Sequence, residues 1–533
     1  ISNLNLPQWQ ALIGDTISEG DFTMNLAIAS HEGGKKLDAA YKSHVAGLTA
    51  KLGGNGISEG TLDCNLNAEI TELKHLAITN CEVTLTEQGQ PALQILASGA
   101  FEGTTFTLQS EVEAVLSRLT GKGSTTPFKT GIALSGSFAK NIADINEILL
   151  SLPPTDRAAK NELRVKGQLD LSFPALTKGQ FDLTADTLDL TPLYDAVATP
   201  STNTATASTI SAPPPEKTHP NIEPPPIKFP FQFTIGIDLK HAWLHEITMD
   251  DCQITAKAGG DKLILDPCTL TLDGGRANAT AGVDLGVPGY KYSLDAALDQ
   301  VALEPLANTF SPENIGRYKG SILSSVKING AGVTGASLQK SLTGQVNFAL
   351  TNADIQLTGP KFQKVVGPIA NLLGLHELLT YPLTSVDLKI DMGAGNITIS
   401  NCVAGSSSFE ASIEGTIPIA DVLSNSPLNL PVQILLSRTL AQNISLTPTN
   451  TPPDATFVPL KNFATIRGTL GNPSTLVDKQ ALGGVFVHSG VGIAKRLGGE
   501  ASTGVKKAVS GFRNLFHSHD STTNTPAPNA SPQ

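Results

Sequence analysis

Positive charge is scarce in this chain: 37 Lys and Arg stand against 48 Asp and Glu, a net charge of −11 at pH 7. Nucleic-acid binding needs a basic surface to neutralise phosphates, and no basic stripe with interleaved aromatics occurs, so that class of partner is excluded. Charged residues of either sign make up 16% and aromatics 5%. A chain so poor in Glu, Lys and Arg is suited to strands and turns rather than to charged surface helices. No apolar run approaches the roughly 18–20 residues that cross a bilayer. The chain opens at Ile1 without methionine, which reads as a processed or truncated end and leaves room for an N-terminal signal or anchor before it.

Catalytic signatures are missing as well. Lys122 in Thr120-Gly-Lys-Gly-Ser-Thr125 lacks the earlier glycine of a phosphate loop. His241 and His245 are four apart but belong to no HExxH arrangement, and the pair Asp250-Asp251 suits a turn. Gly330-Ala-Gly-Val-Thr-Gly335 satisfies the dinucleotide pattern G-x-G-x-x-G. The helix that should follow is too short, and no acidic residue closes a second parallel strand, so a nucleotide site is rejected. No cofactor, no metal and no catalytic set is expected.

What the chain does contain is repetition. Asp186-Thr-Leu-Asp-Leu-Thr-Pro-Leu193 and Asp299-Gln-Val-Ala-Leu-Glu-Pro-Leu306 each close an alternating segment and lead into a short helical stretch. Period-two alternation with polar turns recurs throughout, for example at Val83–Leu85, Leu93–Ile95, Phe106–Leu108, Leu163–Leu190, Phe231–Leu239 and Val386–Ile390. The expected fold is mainly β: an elongated, curved antiparallel sheet of repeated strand units forming a groove, with a few short helices. Asn141–Leu152 reads as a short helix or capping turn. An apolar face at Phe362, Val365, Val366, Ile369, Leu372 and Leu373 reads as a helix over 361–379, interrupted at Pro368.

Composition divides the chain into four parts. Residues 1–197 form an N-terminal β-repeat region. Residues 198–230, with nine prolines from 200 to 230, form a Pro/Thr/Ser-rich linker. Residues 231–480 form a second β-repeat region. Residues 481–533 form a Gly-rich basic segment and tail; within it, 481–516 reads either as a partly amphipathic piece that rests on a membrane surface or as a disordered tail.

Five cysteines are present. A hairpin centred on Gly260 would set Cys252 directly opposite Cys268, and Cys64 and Cys81 have nearly the same spacing. Both pairs are therefore disulfide candidates, which would indicate an oxidising compartment. The alternative is that they are buried free thiols.

The second half resembles a known family. Tyr318-Lys-Gly-Ser, Ile328-Asn-Gly-Ala-Gly332, Ser337-Leu-Gln-Lys-Ser-Leu-Thr-Gly344 and Asn347-Phe-Ala-Leu-Thr-Asn-Ala-Asp-Ile355 resemble, in order, the C-terminal region of the AsmA family, with Ala353 where that family has Gly. Leu263–Gly275 and the closing Val458-Pro-Leu460 and Ile466-Arg-Gly-Thr-Leu-Gly-Asn-Pro473 extend the likeness over about 231–480. The resemblance implies a periplasmic protein of the bacterial envelope, anchored in the inner membrane, related to bridge-like lipid transfer and outer-membrane assembly proteins. Phospholipid is then the expected partner, bound or conducted along a β-groove without catalysis. Leu323, Val326, Ile328, Val346, Phe348, Leu350, Val386, Leu388 and Ile390 are the candidate groove positions. Which alternate set faces inward stays open, since a one-residue shift exchanges the faces. The other reading is an elongated β-repeat scaffold or regulator with no lipid cargo, these positions then being ordinary core.

Overall fold

The computed structural model describes residues 4–9, 17–52, 55–120, 123–173, 176–198, 222–356, 382–443, 447, 451–452, 454–460 and 462–478. The expected helix at 361–379, most of the linker and the basic tail lie outside these residues.

Among the described residues 26 strands form one sheet. The first eleven are β1 (Leu4–Asn5), β2 (Ile17–His31), β3 (Lys36–Leu52), β4 (Asn55–Thr71), β5 (His75–Glu87), β6 (Gln90–Glu102), β7 (Thr105–Ala114), β8 (Phe128–Ala139), β9 (Ile142–Ser151), β10 (Glu162–Asp170) and β11 (Thr177–Asp189). After the linker come β12 (Phe229–Leu244), β13 (Ile247–Gly260), β14 (Lys262–Leu272), β15 (Gly275–Asp284), β16 (Lys291–Ala302), β17 (Tyr318–Ala331), β18 (Thr343–Ile355) and β19 (Ser385–Gly393). The last are β20 (Asn396–Gly405), β21 (Phe409–Ile413), β22 (Gly415–Pro418), β23 (Pro427–Ser437), β24 (Phe457–Pro459), β25 (Ala464–Thr469) and β26 (Asn472–Val477). Five short helices interrupt them: α1 (Leu116–Thr120), α2 (Thr191–Val197), α3 (Leu303–Phe310), α4 (Gly335–Ser341) and α5 (Arg438–Asn443).

The mainly β expectation holds, as one long open sheet. Each strand from β1 to β20 pairs with its neighbour in sequence, antiparallel at every junction but one. The exception is β11–β12, which runs parallel through twelve register pairs. The reason is where the chain turns. β11 ends in α2 rather than in a hairpin, and the chain reappears near Ile222 beyond the other end of the strands. β12 must then start beside the start of β11.

The helices and the core share one margin of the sheet. α1 follows the end of β7, α2 the end of β11, α3 the end of β16 and α5 the end of β23, and the pairings place all four ends along the same side. Four buried clusters follow that margin, around Val45 and Leu85, around Leu188 and Ala242, around Val301 and Leu350, and around Leu436 and Val458. The two matching passages of the sequence are units of this arrangement. Leu188 and Val301 are buried at the ends of their strands, and Pro192 and Pro305 lie in the helices that turn the chain there. Proline suits a first helical turn because the N–H it lacks would have no intrahelical partner.

Bulges keep the apolar residues on one side. The inward series runs from Val45 to Leu48, from Leu298 to Val301 and from Leu350 to Ala353, a spacing of three instead of two. Within each step one residue takes the left-handed conformation: Gly47 (φ 62°), Gln300 (φ 57°) and Asn352 (φ 51°). Each such bulge bends and twists its strand. The same spacing explains the misread segment 141–152, which is strand β9. Ile145 and Ile148 are three apart because the register shifts between them, and Ile148 faces Leu134 on one side and Val165 on the other. A bulged strand thus imitates helical periodicity.

The expected disulfides are not present; all five cysteines are free. The β13–β14 register is displaced by a bulge at Asp266 and Pro267, so Cys268 faces Ile254 while Cys252 faces Leu239. Pro267 cannot donate to the ladder, which makes it the natural site for that bulge. Cys64 and Cys81 are likewise offset, opposite Val83 and Leu66. Both pairs are diagonal neighbours rather than directly opposed.

Stability should therefore concentrate at the closed margin. Leu436→Ala, at a fully buried position, should cost about 2–5 kcal/mol. Leu96→Ala, on the polar face and 40% exposed, should change stability by about 0.5 kcal/mol or less. Urea midpoints of the two variants, read by far-UV circular dichroism, check the contrast.

A continuous apolar strip as the candidate functional site

Following the register from strand to strand, one face stays apolar or small across the sheet. Leu26, Tyr41, Leu66, Cys81, Ala97, Ser110, Ile132 and Leu150 form one line from β2 to β9. Val165, Leu183, Ile237, Ile254, Cys268, Ala279, Ala296, Val326, Val346, Ile390 and Ile399 carry it from β10 to β20. The opposite face is polar. Its line through Asp295, Lys327, Gln345 and Asp391 is joined by a Lys327–Asp295 ion pair of 3.4 Å and a Gln345 amide that donates to Asp391 at 2.9 Å.

The strip is not equally open along its length. Between β2 and β19 most apolar-face side chains are only half-buried, because among the described residues all strands belong to one sheet and no second sheet covers them. At the C-terminal end the face is closed. Leu428, Leu430, Val432, Ile434 and Leu436 of β23 are all buried, against Ile413, Ile397, Ile399 and Ile466 among others.

The structure resolves the face assignment of the candidate positions. Val326 and Ile328 face Val346 and Gly344; Val346, Phe348 and Leu350 face Ile390, Leu388 and Val386. These eight side chains share the apolar face. Leu323 faces Ala349 and lies on the polar face. Seven of the eight are half-buried; Leu350 is 2% exposed and belongs to the closed margin.

Aromatic rings gather where the two halves meet. Phe229, Phe231 and Phe233 stack along β12 with centroids 5.0 and 4.7 Å apart, and Phe181 meets Phe233 edge-on at 5.8 Å. Glycines make room for them. A Cβ at Gly167 would lie 2.6 Å from the Phe181 ring, and one at Gly179 would lie within 3.0 Å of Phe181 and Phe233. The sequence offered alternation here but no sign that these rings would cluster, because the pairing of β11 with β12 spans the linker.

The G-x-G-x-x-G segment proves to be an internal anchor. Residues 222–228 run along the ends of the hairpins, with the Ile227 N–H donating to the Leu285 carbonyl and the Gly289 N–H to that of Pro224. The Glu223 carboxylate accepts the Val333 N–H at 2.8 Å, the Thr334 N–H at 3.2 Å and the Thr334 hydroxyl at 2.5 Å. Hydrogen bonds from the Ser337 and Thr334 hydroxyls, and then the Val333 N–H, lower its carboxyl to about 2. The N–H groups that a nucleotide phosphate would need are thus already taken, and α4 is only seven residues long.

No group of three metal-ligating side chains occurs among the described residues, and no described helix is long and apolar enough to cross a membrane. Residues 155–402 match the AsmA family. Over that stretch, a little under half of its length, the chain is similar to the AsmA family. The match begins before β10 and ends in β20, so it crosses the parallel junction and overlaps the resemblance at 231–480 as far as residue 402. AsmA proteins form a bacterial envelope family associated with outer-membrane assembly, and it is not a family of enzymes. No curated protein matches the chain.

The Glu223 anchor has a pH signature. A carboxyl lowered on folding stabilises the attachment above the ordinary value of 4.5, and the effect is lost as pH falls toward about 2. Amide exchange at Val333 and Thr334 should be faster in Glu223→Ala than in the wild type at pH 7, and the two should converge near pH 2. Hydrogen-exchange mass spectrometry of the 330–340 segment checks this.

Proposed function

We propose that this protein binds lipid acyl chains along the apolar strip and conducts phospholipid through the bacterial envelope, without catalysis, in support of outer-membrane assembly. The observation that carries the reading is the strip itself: a single apolar face traceable in register from β2 to β20 and left half-exposed over most of its length. Exposed apolar surface in water is costly in proportion to its area, at about 25 cal/mol per Å². Soluble proteins rarely leave such surface contiguous unless something covers it. Acyl chains suit it chemically, since a strip without charged groups offers them dispersion contacts and no hydrogen-bond requirement.

The rest of the design supports this reading. The polar face keeps the sheet in water through cross-strand pairs such as Lys36–Glu69 at 2.9 Å and Lys129–Glu113 at 2.9 Å. The closed margin holds the strands while the other margin leaves an entry along the strip, which acts as a groove. A periplasmic location at the inner membrane suits both the envelope family that the chain resembles and the proposed cargo.

Native mass spectrometry with lipid extraction tests the proposal on protein purified from a bacterial periplasm. Wild type should carry phospholipid. Val326→Asp/Phe348→Asp, on neighbouring strands of the strip, should lose most of it, and Asn347→Asp on the polar face should not. Folded, lipid-free wild type that takes up no fluorescent phospholipid would leave an elongated scaffold as the function.

A further inference from the structure

A depression of about 750 Å³ lies on the polar face behind the phenylalanine ladder, over β10–β14. Two register rows build it. Asp170, Lys178, Gln232, Gly259 and Lys262 form the row nearer the open margin; Gln168, Gln180, Thr234, Lys257 and Ile264 form the next. Gly259 makes the hollow permanent. It has φ 153°, and a Cβ there would come within 2.2 Å of the Phe231 carbonyl and 2.5 Å of the Gln232 Cα, so no side chain can fill the floor.

Its charge is unusual for a chain with a net charge of −11. Lys178, Lys257 and Lys262 all line the depression, and none forms an ion pair among the described residues; the paired lysines are Lys36, Lys129, Lys240, Lys319 and Lys327. Carboxylates stand beside two of the lysines without closing an ion pair: Asp170 faces Lys178, whose charge helps hold its carboxyl below the usual range after the hydrogen bonds from Ser172, and Asp284 faces Lys262. Asp170 accepts the Ser172 N–H at 2.9 Å, and Asp182 faces Lys166 across the β10–β11 pair.

The rim connects this polar hollow to the apolar strip. Leu171 and Phe173, in the turn between β10 and β11, are 40% and 58% exposed, and Lys178 Nζ stands 5.6 Å from the Phe173 ring centroid. An amphiphile held at the lysines needs only to pass this apolar edge for its chains to reach Phe231 and Phe233. Lysine ammoniums are effective point-charge partners for phosphate oxygens, and the Gln180 and Gln232 amides can donate to the remaining oxygens, while the Gln168 amide already donates to Asp144 at 2.6 Å.

We propose that the depression formed by Lys178, Lys257 and Lys262 binds the phosphate of a lipid head group of net negative charge, whose chains lie on the phenylalanine ladder. The inference rests on the lipid reading above and adds head-group selectivity to it.

The test uses the full chain and vesicles of phosphatidylcholine doped with fluorescent phosphatidylglycerol or fluorescent phosphatidylcholine. Wild type should extract phosphatidylglycerol about fivefold to tenfold better at low salt, the advantage shrinking as salt screens the lysines. Lys178→Gln/Lys257→Gln/Lys262→Gln should remove the preference and leave phosphatidylcholine extraction unchanged, whereas Lys327→Gln should alter neither. An unchanged preference in the triple variant overturns the site. Calorimetric binding of inorganic phosphate that depends on the three lysines, without any head-group preference, overturns the lipid assignment in favour of a soluble phosphate ligand. Extraction of neither lipid by wild type removes the lipid reading itself, and this site with it.

Discussion

Everything in this structure depends on the requirement that a strand's side chains alternate while its backbone pairs on both sides. With the 26 strands of the described residues in one sheet, the apolar residues must collect on one surface, which stays half-buried over most of its length. A single slip of register would carry a strand's apolar set to the polar face. The left-handed residues Gly47, Gln300 and Asn352 matter for this reason. Each absorbs one extra residue near the closed margin, so that Leu48, Val301 and Ala353 continue on the face begun by Val45, Leu298 and Leu350. The bulges are what allow long strands to bend without losing the strip.

Much of the fold was legible because alternation is local. Strands such as β12, β17, β18 and β19 can be read residue by residue, and the apolar-Pro-Leu passages mark where strands end in helices. What failed were features decided by pairing rather than by pattern. β9 looked helical because its bulge spaces Ile145 and Ile148 as a helix would. Cys252 and Cys268 looked opposed because a hairpin was counted without the bulge at Pro267. In both cases one inserted residue changes the period, and its presence shows only against the neighbouring strand.

The candidate site was legible to a similar depth. Eight of the nine positions chosen for alternation share the apolar face, and Leu323 does not, since its own alternation was equally compatible with either side. The lysine depression and the phenylalanine ladder left no sequence signal. They combine residues near 170–182 with residues near 229–264, and the linker separates the two sets.

The parallel junction ties these observations together. β11 and β12 keep a constant register from Thr177–Phe231 to Asp189–Trp243, so Phe181 faces Ile235, Leu183 faces Ile237 and Ala185 faces Leu239 on the apolar side. The strip therefore crosses the one place where the chain is not a simple meander. Since β11 leaves through α2 at the closed margin and β12 enters from the hairpin ends where Glu223 is anchored, the length of the intervening segment does not set the register; the sheet does. A proline-rich insertion can then be accommodated at this point without interrupting the apolar face. That explains how a composition break that looks like a domain boundary can lie inside a single continuous sheet.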